Sequence, residues 1–127
     1  MFVYGTLRAG RAPRALAWLE ALPREPASAP GRLLDLGAYP GVVHDARARV
    51  AGELVAVPAG RIAVLDAYEG FDPAAPARGP FVRERCVARD AAGRERPCWI
   101  YRFTGDPAGY PEVPGGNWTD ATSGDVG

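Results

Sequence analysis

The sequence of residues 81–103 predicts that a large part of the chain forms β-sheet. Two stretches rich in apolar residues, FVRERCVARD (81–90) and RPCWIYRF (96–103), flank the turn-forming sequence Ala91-Ala92-Gly93. This spacing is typical of a β-hairpin. Side chains alternate between the two faces of a strand, so three aromatic residues of the second stretch fall on one face. They are Trp99, Tyr101 and Phe103.

Shorter elements are predicted in the rest of the chain, separated by proline and glycine. Strands are predicted over residues 2–6, 31–43 (with a bend at Tyr39-Pro40-Gly41) and 49–58, and helices over 11–22 and 61–70. Residues 72–80 are a predicted loop, and residues from about 105 to 127 are expected to be irregular, docked by Tyr110 and Trp118. This order predicts an α+β fold with two main helices on a small, strongly curved mixed sheet or barrel. The length fits a single domain over residues 1–127.

The first predicted helix, RAPRALAWLEAL, begins near Pro13, a residue suited to the first turn of a helix. Its apolar residues fall on one helical face, and Pro23 and Pro26 end the helix. That face consists of Ala12, Ala15, Leu16, Leu19 and Leu22.

Charge and composition exclude several functional classes. The chain has fifteen basic and fifteen acidic residues, and every basic residue is arginine. A balanced charge argues against a nucleic-acid or anionic-membrane surface, which needs a basic excess. No apolar run is long enough to span a membrane, and no secretory leader is recognisable. We therefore expect a cytoplasmic protein, and the default expectation is a monomer.

The single histidine and two cysteines limit metal and nucleophile chemistry. Cys86 and Cys98 fall opposite each other if the hairpin turn is centred near residue 92. A cross-strand disulfide is conceivable, but in a reducing compartment they are expected to be small core residues. With one histidine, His44, the usual Cys/His metal sites are excluded. His44 is expected to lie in an exposed loop.

Glu69 is the principal candidate for chemistry. On a helical wheel of about 100° per residue it falls between Ile62 and Leu65, in the middle of the apolar stripe. Apolar surroundings and the negative end of the helix dipole both raise the pKa of a carboxyl group. Such a group is a candidate general acid/base. The alternative is an ion pair with one of the fifteen arginines, for example Arg83 or Arg85. Asp66, at the edge of the stripe, is expected to be solvated or to cap the helix.

The segment Tyr4-Gly5-Thr6-Leu7 follows the first strand and offers a second candidate site. Gly5 allows close approach of a ligand or a positive φ. Backbone N–H groups in such a turn can hold a carboxylate or an oxyanion. The alternative is an ordinary strand-to-helix turn. A nucleophilic role for Thr6 is disfavoured because no base is identifiable beside it.

Taken in order, these segments resemble the γ-glutamylcyclotransferase-like family, which includes the γ-glutamylamine cyclotransferases and plant AIG2-like proteins. The resemblance covers roughly residues 2–103, with a further Gly-x-Trp string at Gly116-Asn117-Trp118. The matching strings are FVYGTLRAG, GRLLDLGAYPGVV, VAGELVAV, LDAYEGF, FVRERCVA and CWIYRF.

The resemblance implies a barrel-like α+β fold with a central cavity and an enzyme that releases 5-oxoproline from small γ-glutamyl compounds. It implies that Glu69 is the catalytic carboxylate and that no cofactor or metal is needed. The residues implied to bind substrate are Tyr4, Gly5, Thr6, Leu7 and, with weaker correspondence, Tyr101. A non-catalytic binding module of the same fold is the alternative.

Two departures from the family pattern concern the leaving group. Many members have Asn-His shortly after the first loop, where this chain has Arg11-Ala12-Pro13-Arg14. Many also have Tyr-x-Arg at the start of the hairpin, where this chain has Phe81-Val82-Arg83. Any substrate contact made by that tyrosine hydroxyl in relatives is absent here.

Overall fold

The computed structural model describes residues 1–5, 7–8, 10 and 12–118. Within them the chain forms seven strands, a 3-10 helix at Arg14–Ala21 and an α-helix, α1, at Ile62–Glu69. The strands are β1 (Phe2–Val3), β2 (Arg24–Pro30), β3 (Arg32–Asp35), β4 (Pro40–Val43), β5 (Arg49–Val55), β6 (Phe81–Asp90) and β7 (Glu95–Phe103). Short 3-10 turns occur at Ala59–Arg61, Pro76–Arg78, Pro107–Gly109 and Pro114–Gly116.

The strands form two antiparallel sheets. Five of them make one sheet in the order β1-β5-β2-β6-β7, and β3 and β4 make a separate two-stranded sheet. Every ladder between these strands is antiparallel. The α+β fold class is thereby confirmed, although the larger sheet ends at β1 and β7 and does not close into a barrel.

The long hairpin has the predicted register. Phe81 pairs with Phe103, and Cys86 pairs with Cys98; both cysteines are free thiols. At the turn, the Asp90 carboxylate accepts hydrogen bonds from the N–H groups of Ala92 and Arg94, and these contacts lower the pKa of Asp90. Gly93 has a φ of +82°, a conformation that favours glycine.

Strand β2 was not predicted, because the prolines of this segment were interpreted only as the end of the first helix. It pairs with β5 along its whole length but with β6 only at Ala27 and Ser28. Proline has no N–H group and therefore cannot donate a hydrogen bond to a neighbouring strand. Because so little of this second edge is paired, Pro26 and Pro30 are tolerated there.

The first helix is a 3-10 helix rather than an α-helix, with a break in helical geometry at Leu16. Leu16 and Leu19 are buried, and Leu22 packs against the same core cluster. These leucines are three residues apart, a spacing that aligns side chains along a 3-10 helix. The predicted apolar face is therefore confirmed for Ala12 and the three leucines, but not for Ala15, which is exposed.

The buried residues form two clusters. One packs between the sheets and contains Phe2, Leu33, Ile100 and Trp118, and the other lies under the helices and contains Leu19 and Leu65. The predicted docking of the C-terminal segment is confirmed, because Trp118 is only 1% exposed and Tyr110 packs edge-on against Phe103 at 5.5 Å. In the part of the chain that the structure describes, no helix is long and apolar enough to cross a membrane.

Candidate functional site

A cavity of about 330 Å³ lies where the end of β1, the first loop and the C-terminal turn of α1 meet the beginnings of β4 and β6. Its wall contains Tyr4, Gly5, Leu7, Glu69 and Tyr101, which are separated by up to 97 positions in the sequence. The structure thus brings together five of the six residues predicted for the site. Thr6, the sixth, lies outside the described residues.

Glu69 is in the last turn of α1, which Gly70 ends in the left-handed conformation with a φ of +74°. Leu65, one turn earlier, is fully buried and anchors this face of the helix. Within the described residues the Glu69 carboxylate has no hydrogen-bond or ion-pair partner. Burial without a compensating charge raises its pKa to about 7. At neutral pH this group can both accept and donate a proton.

Asp66, three residues before Glu69, is buried rather than solvated, so the expectation for this residue is wrong. Its carboxylate accepts hydrogen bonds from Arg83 Nε at 2.8 Å and Arg83 Nη2 at 3.3 Å. The hydroxyl of Tyr101 donates a third, at 2.7 Å. These donors offset the cost of burying the charge, and the Asp66 side chain is 8% exposed.

The same contacts exclude the alternative interpretation of Glu69 as the partner of a hairpin arginine. The Arg83 guanidinium is committed to Asp66 and lies over the rings of Trp99 and Phe71, at 4.3 and 5.6 Å from their centroids. Arg85 lies over Trp99 as well, at 4.8 Å. In the described structure neither arginine forms an ion pair with Glu69.

The first loop is fixed by contacts from both sides. The hydroxyl of Tyr4 donates a hydrogen bond of 2.6 Å to the backbone carbonyl of Tyr101, and the Arg8 N–H closes a turn on the Gly5 carbonyl at 3.0 Å. Gly5 does not have a positive φ. A Cβ atom there would lie 2.7 Å from Cγ of Pro40, so the structural need for glycine is close packing against that ring.

Tyr4 and Tyr101 both present phenol groups in their protonated form. Burial is the main cause that raises the pKa of each hydroxyl, and the nearby negative charge of Glu69 adds to the effect. Each hydroxyl donates a hydrogen bond to another group of the protein: Tyr4 to the Tyr101 carbonyl, and Tyr101 to the Asp66 carboxylate. In this structure the two tyrosines therefore shape and hold the cavity wall.

The cavity also contains residues that the sequence analysis did not single out for this site. Tyr39, Tyr68, Pro80 and Phe81 line it, and the first three of these are exposed. Tyr39 belongs to the bend predicted at residues 39–41, and Tyr68 precedes Glu69 on α1. Their apolar character was visible in the sequence, but their meeting at one cavity depends on the tertiary fold.

Metal chemistry has no evident site in the structurally described portion of the chain. No group of three or more His, Cys, Asp and Glu side chains there could hold a metal ion. His44 is exposed, as predicted, and its Nε2 lies 2.8 Å from a carboxylate oxygen of Glu84.

Two solved structures share the fold. YkqA from Bacillus subtilis superposes with a TM-score of 0.73 at 22% identity, over 98% of this chain and 41% of YkqA. This chain therefore spans less than half the length of that protein. The uncharacterized protein PH0828 from Pyrococcus horikoshii superposes with a TM-score of 0.64 at 16% identity, over 92% of this chain and 86% of PH0828. A comparison with curated proteins finds no match.

A family model provides the more specific assignment. The model described as gamma-glutamyl cyclotransferase, AIG2-like matches residues 1–120, nearly the whole chain. The match spans every strand and helix described above, including the first loop and the turn of α1 that carries Glu69. The chain belongs to the gamma-glutamyl cyclotransferase, AIG2-like family.

Proposed function

We propose that the protein is a γ-glutamyl cyclotransferase that uses Glu69 as its general acid/base. The substrate is a small γ-glutamyl amide, and the products are 5-oxoproline and a free amine. The observation that carries this proposal is a carboxylate with a pKa of about 7, without a partner among the described residues, in the wall of a largely apolar cavity. Catalytic groups are commonly tuned to such values by burial.

In the proposed reaction, the substrate's own α-amine attacks its γ-carbonyl carbon. The amine must first lose a proton, because α-amino groups have a pKa of about 8 and are largely protonated at neutral pH. Ionised Glu69 accepts that proton. A new C–N bond closes the five-membered ring, the original amide C–N bond breaks, and Glu69 returns a proton to the departing nitrogen. As the ring closes, the attacking nitrogen gives up a second proton, and the departing nitrogen takes up this proton as well, so the amine leaves as an ammonium ion and Glu69 is ionised again.

The first loop is proposed to hold the γ-glutamyl part of the substrate. Gly5 and Leu7 belong to a turn closed by the Arg8 N–H, and no described residue accepts a hydrogen bond from the Leu7 N–H. Backbone N–H groups of such a turn suit the substrate α-carboxylate or the developing oxyanion. Holding amine and carbonyl in contact makes ring closure effectively intramolecular and preorganised.

Incubation of the protein with γ-glutamyl amides, γ-glutamyl dipeptides and glutathione, followed by quantification of 5-oxoproline, tests the proposal. At least one compound is expected to yield 5-oxoproline and its amine in equal amounts. Binding of these compounds, measured by calorimetry, without release of 5-oxoproline from any of them would contradict catalysis and favour the non-catalytic binding module.

A further inference from the structure

The cavity has a buried floor and an exposed rim. Tyr4, Leu7 and Tyr101 in its wall are at most 7% exposed. Tyr39 and Tyr68 also line it, yet they are 42% and 44% exposed and therefore mark its opening. Glu69 also lines the cavity, and its exposure is intermediate between that of the floor residues and that of the two rim tyrosines.

We infer that the amine released by this protein carries a neutral apolar or aromatic group, which binds at the rim against Tyr39 and against the buried ring of Phe81 that packs behind it. This inference rests on the proposed function, which places the γ-glutamyl part on the floor and the scissile bond beside Glu69. The group on the far side of that bond must then extend towards the opening.

The charge of the cavity wall supports this substrate class. Among the described residues that line the cavity, Glu69 alone carries a charge. Two described arginines, one in the first loop and one on β6, have partners of their own: Arg83 pairs with Asp66, and Arg8 donates to the Asn117 side chain at 2.6 Å and the Trp118 carbonyl at 3.2 Å. A leaving group with a carboxylate, as in a γ-glutamyl peptide, would lose water without gaining a cation from either of these residues or from the described cavity wall. It would also be repelled by Glu69.

A leaving group with a second ammonium suits the rim less well than a neutral one. Ring faces can attract a cation, so an ammonium could bind near Tyr39. A fixed positive charge close to Glu69, however, would stabilise the ionised carboxylate and lower its pKa. Glu69 would then be a weaker acid–base partner in the transfer to the departing nitrogen.

The rim is also held rigidly by aromatic packing. The ring of Tyr39 lies 6.0 Å from Phe81, Phe81 lies 5.9 Å from Phe103, and Phe103 lies 5.5 Å from Tyr110. Phe81 is only 4% exposed, and its side chain ends in a ring without a hydroxyl. A preformed apolar wall of this kind binds a ring or branched chain with little loss of side-chain freedom.

Competition between leaving groups tests the inference. We expect kcat/KM for γ-glutamyl-benzylamide to exceed that for γ-glutamylglycine and γ-glutamylputrescine by about 10- to 100-fold, the range for burying one apolar side chain. Release of 5-oxoproline from all three with equal or reversed preference would overturn the inference and leave the proposed function standing. Release from none would contradict the proposed function and this inference together.

A variant that places a positive charge at the rim tests where the leaving group binds. Its readout is the preference between two substrates, which does not depend on how much of the protein is folded. Tyr39→Arg adds a cation at the rim and should lower the preference for the benzylamide over γ-glutamylglycine by about tenfold, since a charged partner then compensates the carboxylate. Val87→Arg on β6 is the matched control, because Val87 is similarly exposed, at 49%, but does not line the cavity. An unchanged preference in Tyr39→Arg, or an equal change in Val87→Arg, would contradict the placement.

Discussion

The Asp66 carboxylate and the Arg83 guanidinium form a two-point ion pair, at 2.8 and 3.3 Å, about one helical turn before Glu69. Helix α1 therefore presents two acidic side chains three positions apart in different electrostatic settings. Asp66 is neutralised by Arg83 and hydrogen-bonded by Tyr101, whereas Glu69 has no such partner within the described structure. This difference leaves Glu69 with a pKa near neutrality, raised by burial, while Asp66 anchors the helix to β6 and β7.

Asp66→Asn should strongly destabilise the fold. The amide can still accept the Tyr101 hydroxyl, but the Arg83 charge loses its partner in a largely buried position. Removing one member of a buried ion pair typically costs about 3–5 kcal/mol. The free energy of unfolding from urea denaturation measures the effect, with Glu95→Gln on the exposed end of β7 as the control. A loss no larger than that of the control would show that the pair contributes little.

The double variant Asp66→Asn/Arg83→Met separates the unpaired charge from other effects of the substitution. With both charges of the pair absent, neither position leaves a buried ion without its partner, so stability should recover relative to Asp66→Asn alone. A double variant less stable than Asp66→Asn would contradict this account of the destabilisation.

Glu69→Gln should stabilise the protein, and increasingly so as pH rises. Burial raises the pKa of Glu69 to about 7 from its ordinary value of 4.5, so the folded state favours the protonated acid. In the wild type, the Glu69 carboxyl therefore makes its full contribution to the free energy of unfolding below pH 4.5, and this contribution is lost as pH rises through about 7. Glutamine does not ionise, so its advantage over glutamate should grow by up to about 3 kcal/mol between acidic and mildly alkaline pH.

Unfolding of wild type and Glu69→Gln at several pH values measures this difference. A gap in unfolding free energy that stays constant from pH 4.5 to pH 8 would show that the carboxyl titrates normally. That outcome would remove the electrostatic basis for Glu69 as an acid/base near neutral pH.

Gly5→Ala should impair the site more than the fold. A Cβ atom would lie 2.7 and 2.8 Å from two carbons of Pro40, so the first loop must shift away from that ring. Overpacking of this kind costs about 1–3 kcal/mol. A shift of the loop by about 1 Å can reduce turnover by about 100-fold when it misplaces the substrate.

Gly60→Ala is the matched control for this prediction, because a Cβ atom at Gly60 would meet nothing within 4 Å. Release of 5-oxoproline, measured together with urea denaturation, distinguishes a local effect from unfolding. Equal turnover by the Gly5 and Gly60 variants would contradict a substrate-holding role for the first loop.

Local patterns predicted the elements whose signals lie within a few adjacent residues. The alternation in residues 81–103 gave the hairpin and the facing of Cys86 and Cys98, and Gly70 marked the end of α1. Strand β2 was missed because Pro26 and Pro30 oppose strand propensity, and only its pairing with β5 reveals why they are tolerated. The break in helical geometry at Leu16, a buried residue, likewise depends on tertiary packing.

The candidate site was predictable in part for a similar reason. Helical periodicity placed Glu69 on the buried face of α1, because that argument needs only one helix. It misjudged Asp66, since burial of that carboxylate depends on Arg83 and Tyr101, which come from two other strands. The packing of Tyr39, at the rim, against Phe81 was not recognised, because it brings together segments that are far apart in the sequence.

The pH dependence of 5-oxoproline release by wild type and Glu69→Gln, with Glu95→Gln as control, tests the role of Glu69 most directly. For the best substrate of the panel, wild-type kcat/KM should fall on the acid side with an apparent pKa near 7, the value that burial gives Glu69. Glu69→Gln should lose at least about 100-fold in kcat, the low end for removing a general acid/base. Glu95→Gln should match wild type. Turnover by Glu69→Gln at the wild-type rate, with the same acid limb, would contradict the assignment of Glu69.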